Sequence, residues 1–138
     1  MKTTIKLFFL AAIVTLIASC AKNPEKLLVK KDGKWTAIST TTLVGFGTFI
    51  DTTDVTFTDG SGTMTDNAGI STPFTWSYDK KAAQITLTQI DGADTYVTVS
   101  NVTEIETDSE KWTMVSSTVN GTLISSADLT SVMVLTRK

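Results

Sequence analysis

Past Gly33 the chain alternates apolar and polar residues in short runs, separated by clusters of Asp, Asn, Ser and Gly. A period of two marks a strand with one buried face. The runs predict strands over Trp35–Thr41, Val55–Thr58, Gly62–Asp66, Pro73–Tyr78, Ala83–Ile90, Thr95–Thr107, Lys111–Val119 and Ser131–Arg137. The segments between them, "DGSG" (59–62), "DNAG" (66–69), "DKK" (79–81), "DGAD" (91–94) and "DSE" (108–110), hold the residues that tight hairpins require. Asn120-Gly121 is a further turn signal, with a short ribbon expected through Leu123 and Ile124. No helical crossover separates the runs, so the expected fold is all-β, an antiparallel up-and-down barrel of eight strands whose closure removes exposed edges.

Alternation also assigns faces. Val55 and Phe57 share one, as do Phe74, Trp76 and Tyr78, then Ile85 with Leu87, and Trp112 with Met114. Phe57, Phe74, Trp76, Tyr78, Trp112 and Met114 are therefore expected inside, as lining for a small apolar ligand or as the filling of a pocketless barrel. The stretch "LVGFGTFIDTTD" (43–54) does not alternate cleanly, and "VGFGTF" (44–49) within it is expected as a flexible apolar loop over one barrel mouth. Phe46 and Phe49 would then form a lid with Leu43, Val44 and Ile50, or else pack into the core. The last strand, "SVMVLTR", is apolar on both faces and calls for an outer cover.

A short N-terminal helix, Pro24–Lys31, is the expected cover. Asn23-Pro24-Glu25 supplies a cap, a proline at the first helical position and an acid in the first turn, and Gly33 can take the left-handed stop.

Upstream, Lys2 and Lys6 precede twelve uncharged residues, Leu7–Ala18. That run would make a helix of roughly 18 Å, too short for a bilayer core of about 30 Å. A basic start, a short apolar stretch and small residues describe a signal peptide over residues 1–19. Ile17-Ala18-Ser19-Cys20 resembles the bacterial lipobox, which implies that Cys20 carries a diacylglyceryl group and palmitate-like chains and becomes the first mature residue. Residues 20–23 would then be a lipidated tether and 24–138 the barrel domain. Several acyl chains, at ~0.8 kcal/mol per buried CH₂, would make Cys20 a lasting membrane anchor. Ala21 follows the cysteine, without the aspartate associated with inner-membrane retention, so the expected address is the outer membrane of a bacterial envelope, on either face.

The mature chain would hold 119 residues, of which 24 are threonine, a bias toward pleated surfaces. Without Lys2 and Lys6, ten basic residues face fourteen acidic ones, a net −4, so nucleic acid is not an expected partner. No second cysteine exists for a disulfide.

Gly33-Lys34-Trp35 opens the first strand, and Arg137, the chain's only arginine, closes the last. This arrangement resembles the lipocalins, and the whole layout is similar to the small lipocalin-like lipoproteins of bacteria over roughly residues 24–138. The resemblance implies that the Trp35 indole plugs one barrel end with the Arg137 guanidinium stacked upon it, a structural pair. It also implies a binding module for a small apolar ligand. The chain is shorter than most lipocalins and lacks their disulfide and multi-turn helix, which argues against a large cavity.

The chain has no histidine, so histidine-dependent nucleophile systems cannot be built, and zinc, haem and iron–sulfur clusters have no convincing ligand set. Glu104 and Glu106 share a strand face, and Asp51 and Asp54 flank the first long loop, but solvated acids explain both pairs. The "DGSGTMTDN" run lacks the spacing of a calcium loop. The expectation is a non-enzymatic protein without a cofactor, with monomer the simplest state. The competing reading is an interaction protein that binds a protein or glycan through its loops around a filled barrel.

Overall fold

The computed structural model describes residues 23–125 and 127–138. Nine strands follow one helical turn: β1 (Lys34–Leu43), β2 (Gly47–Thr58), β3 (Ser61–Thr65), β4 (Ser71–Asp79), β5 (Gln84–Asp91), β6 (Asp94–Ile105), β7 (Ser109–Val119), β8 (Thr122–Ile124) and β9 (Leu129–Arg137). All pairings are antiparallel. Strands β1 to β7 pair in sequence, β7 pairs β9, and β9 pairs β1, closing an eight-stranded barrel with β8 as an extra strand on β7. Barrels of this size leave room inside for side chains or one small ligand.

The 43–54 segment is a hairpin, not a loop. β1 runs to Leu43 and β2 begins at Gly47, with Leu43 opposite Gly47 and Thr40 opposite Ile50. Gly45 and Gly47 take φ of +83° and +106°, which lets the chain reverse in three residues. Alternation fails there because β2 outruns β3, whose last pair is Thr65 with Asp54. Residues 47–53 therefore have no neighbour on that side to bury a face against.

The helix, α1 (Pro24–Leu28), is shorter than expected and lies elsewhere. Asn23 caps it, accepting from the Glu25 N–H at 3.1 Å. It stops at Leu28, with Val29 as its C-cap and Lys30 already extended, before Lys31, Asp32 and Gly33 take positive φ. Instead of covering the outer face of β9, α1 plugs one barrel end with Leu28 fully buried. On the outer wall Ile38 of β1 and Val134 of β9 face each other and stay partly exposed.

The core fills the plugged half. Trp35, Ala37, Val55, Phe57, Phe74, Trp76, Ile85, Leu87, Val102, Trp112 and Leu135 are buried with Leu28. Phe57 is its hub, with edge-on contacts to Phe74, Trp76 and Trp112 at centroid distances of 5.4, 5.7 and 5.9 Å.

Candidate functional site

The other half of the barrel is not filled. A cavity of about 250 Å³ lies above the aromatic core, with Leu87 and Trp112 among its lining. Its walls come from six strands: Ser39 and Thr41 of β1, Met64 of β3, Gln89 of β5, Thr98 and Ser100 of β6, and Met114 and Ser117 of β7. Leu129, Ser131 and Met133 of β9 complete it. These are the inward positions of strands whose other ends build the core. Down β1, Trp35 and Ala37 give way to Ser39 and Thr41; down β9, Leu135 gives way to Met133 and Ser131.

The lining therefore changes from large apolar groups to small hydroxyls and thioethers along the barrel axis. Small side chains leave the void, and the hydroxyls pair across strands. Thr41 and Ser131 lie 3.0 Å apart, Thr98 and Ser117 3.5 Å, and the Gln89 amide donates to the Met64 sulfur at 3.6 Å. Among the described residues no ionisable side chain lines the cavity. Every methionine beyond Met1 does, and thioethers adapt to varied apolar shapes. The arrangement suits holding a molecule by dispersion and a few hydroxyl hydrogen bonds; it offers no nucleophile–base pair. Among the described residues no group of His, Cys, Asp or Glu is placed to hold a metal.

Trp112 and Met114 line this cavity, whereas Phe57, Phe74 and Trp76 pack in the filled half and Tyr78 sits half-buried beside it. Phe46 and Phe49 lie on the rim of the open end, 82% and 52% exposed. Cys20 lies outside the described residues. Sequence reasoning missed Ser39, Thr41, Met64, Ser117, Ser131 and Met133. Ser117 could not have been assigned by alternation. A bulge between the Val99–Ser116 and Ser100–Met114 pairs inserts Val115 as an extra residue, turning Ser117 inward beside Thr98.

At the plugged end Trp35 is fully buried and donates its indole N–H to the Leu28 carbonyl at 2.9 Å. Arg137 lies over that indole, 4.2 Å from guanidinium carbon to ring centroid. Its Nη1 and Nη2 donate to the Lys30 and Leu27 carbonyls at 2.6 and 2.8 Å, and Nε to Asp108 at 3.2 Å. One side chain thereby adds charged donors to carbonyls at the end of α1 that also accept the Lys30 and Gly33 N–H groups.

Glu110, also at this end, is 1% exposed. Burial pushes its carboxyl up to about 7, against the opposing effects of the Trp112 hydrogen bond and the Arg137 charge. The Trp112 N–H donates to Oε2 at 2.9 Å, while Oε1 has no partner.

Compared with family models, curated proteins and solved structures, the chain matches none. Its function is therefore argued from the barrel and the cavity.

Proposed function

We propose that this chain is a lipid-anchored, lipocalin-like envelope lipoprotein whose barrel binds one small, largely apolar molecule in its unfilled half. The observation that carries the reading is the change of lining along the axis, from an aromatic core to a cavity of about 250 Å³ walled by hydroxyls and methionines. An apolar void of ~150 Å³ can hold benzene, and drug-sized sites run to ~300–1,000 Å³, so this cavity suits a ligand of roughly ten non-hydrogen atoms. A long-chain lipid would not fit within it.

The anchor rests on the lipobox-like Ile17–Cys20 stretch. α1 begins four residues after Cys20 and lies at the plugged end, so the tether would leave from the pole opposite the cavity mouth. Metabolic labelling with a palmitate analogue should mark the full-length protein and leave Cys20→Ala unlabelled.

The binding test is extraction of the natively purified protein followed by mass spectrometry, with Ser131→Phe as a filled-cavity control. A small molecule should co-extract from the unaltered chain and be lost from the variant. Identical extracts would overturn the reading. The exposed rim residues Phe46, Phe49 and Ile50 favour a second reading, docking of a macromolecule at the open end. Phe46→Ser with Phe49→Ser would then abolish binding of that partner while leaving small-molecule extraction unchanged.

A further inference from the structure

Charge is sorted along the barrel axis. The nine basic residues among the described ones are Lys26, Lys30, Lys31 and Lys34 at the N-terminal plug, Lys80 and Lys81 in the β4–β5 turn, Lys111, Arg137 and Lys138. Antiparallel topology puts all of them at the plugged end, and contacts agree: Lys80 pairs with Glu25 of α1, Lys111 with Glu104, and Lys138 with Asp54. The open end carries Asp51, Asp66, Asp91, Asp94 and Asp128, and no basic residue among the described ones. The hairpins bearing these acids form one rim. The Val44 N–H donates to the Asp128 carbonyl, and Asn120 joins β5–β6 to β7–β8 through Asp94 and Thr95.

By register three of the acids lie on inward rows at the open ends of their strands, Asp51 and Asp91 exposed and Asp94 half-buried. Asp51 lies opposite Ser39, which lines the cavity, and continues the inward row of Phe57 and Val55. Asp91 continues the row of Leu87 and Gln89 and lies directly opposite Asp94 on β6. Like charges facing each other across a pair are unfavourable without a counter-charge. Among the described residues the groups that answer these acids are neutral: the Asn120 amide donates to Asp94 at 2.7 Å and the Thr52 N–H to Asp51 at 2.9 Å. Phe49 and Tyr96 share these inward rows, partly exposed, beside the acids.

The mouth thus combines apolar side chains with uncompensated negative charge, above a cavity with no charge of its own. We propose that the ligand is an apolar chain bearing a cationic head, an amine or guanidinium, with the chain in the cavity and the head among Asp51, Asp91 and Asp94. This rests on the cavity being a binding site. Anionic amphiphiles with the same chain are disfavoured by the same field.

The test is titration of the folded chain with 1-octylamine, 1-octanol and octanoate, which share a tail, at neutral pH. At ~10 mM salt octylammonium should bind about tenfold more tightly than octanoate, and the gap should shrink at ~500 mM, where the Debye length falls to a few ångströms. Asp51→Asn with Asp91→Asn and Asp94→Asn should erase that gap while leaving octanol binding intact, which also shows that the variant folds. If octanol saturates the cavity but octylammonium gains nothing over octanoate, the head-group assignment is wrong and the cavity reading stands. If none of the three binds saturably, both fail.

Discussion

Trp35 and Arg137 are cross-strand partners on the first and last strands of the barrel, and the guanidinium carbon rests 4.2 Å from the indole centroid. The contact joins three things at one point: the closing seam between β1 and β9, the carbonyls at the end of α1, and the bottom of the core. Arg137→Lys keeps the charge but cannot make the two-pronged contact to Leu27 and Lys30, nor stack as a plane. Both carbonyls keep a backbone partner, so the loss is that of charged hydrogen bonds and stacking, about 1.5–3 kcal/mol, and the variant should unfold at clearly lower urea concentration with an unchanged slope. An unchanged midpoint would mean that the seam holds without the arginine.

Gly33 is fixed by its surroundings. Its φ is +62°, and an added Cβ would overlap the Phe57 carbonyl. Gly45 and Gly69, on the open rim, also have positive φ but nothing near. Gly45→Ala should cost about 1 kcal/mol from backbone strain alone, whereas Gly33→Ala should cost several or prevent folding. Thermal unfolding of the two variants in parallel checks the difference; equal losses would contradict it.

Glu110 sets a pH dependence of known sign. An exposed glutamate titrates near 4.3, and in the folded chain this one holds its proton up to about 7. Between those values the folded state binds more protons than the unfolded state, so stability falls as pH rises. Across pH 4.5 to 7 the loss amounts to about 3 kcal/mol, with no further slope from this group above pH 8. Glu110→Gln, whose amide oxygen can still accept from Trp112, should flatten the slope and be the more stable form at pH 8. Chemical denaturation across that range measures it; parallel curves for both proteins would show that Glu110 is not the source.

Filling the barrel should have opposite effects in its two halves. Ser131 borders the void and Ala37 is fully buried in the aromatic half, both inward-facing on neighbouring strands. Ser131→Phe should change stability by less than about 1 kcal/mol, since the new ring has room, whereas Ala37→Phe should cost more than ~3 kcal/mol through overpacking. Comparable melting temperatures for both would contradict a half-empty interior.

The barrel was legible because its signals are local. Turn residues and a period of two locate the strands, and the resemblance of Gly33-Lys34-Trp35 and Arg137 to the lipocalin pattern implies the Trp35–Arg137 pair. What sequence could not show was where along the axis the interior stops being filled. Phe57, Phe74 and Trp76 have the same inward alternation as Met64 and Met114, yet only the depth of each residue decides between core and cavity. That depth depends on strand stagger, and on the Val115 bulge that brings Ser117 in place of Ser116. The 43–54 segment does not alternate for a related reason: its side chains project beyond the neighbouring strand and have nothing to alternate against. Likewise the sorting of charge emerged only once alternate turns were known to share an end.

The three methionines give the most direct probe of the central claim, that the open half of the barrel is a ligand site. Labelled with ¹³C at their methyl groups, Met64, Met114 and Met133 each report from the cavity wall, while the Trp35 indole N–H reports from the plug. Titration with 1-octanol, followed by NMR, should shift all three methyl signals together along one saturating curve and leave the Trp35 signal in place. Methyl signals that stay fixed up to the solubility limit of the alcohol would contradict the account.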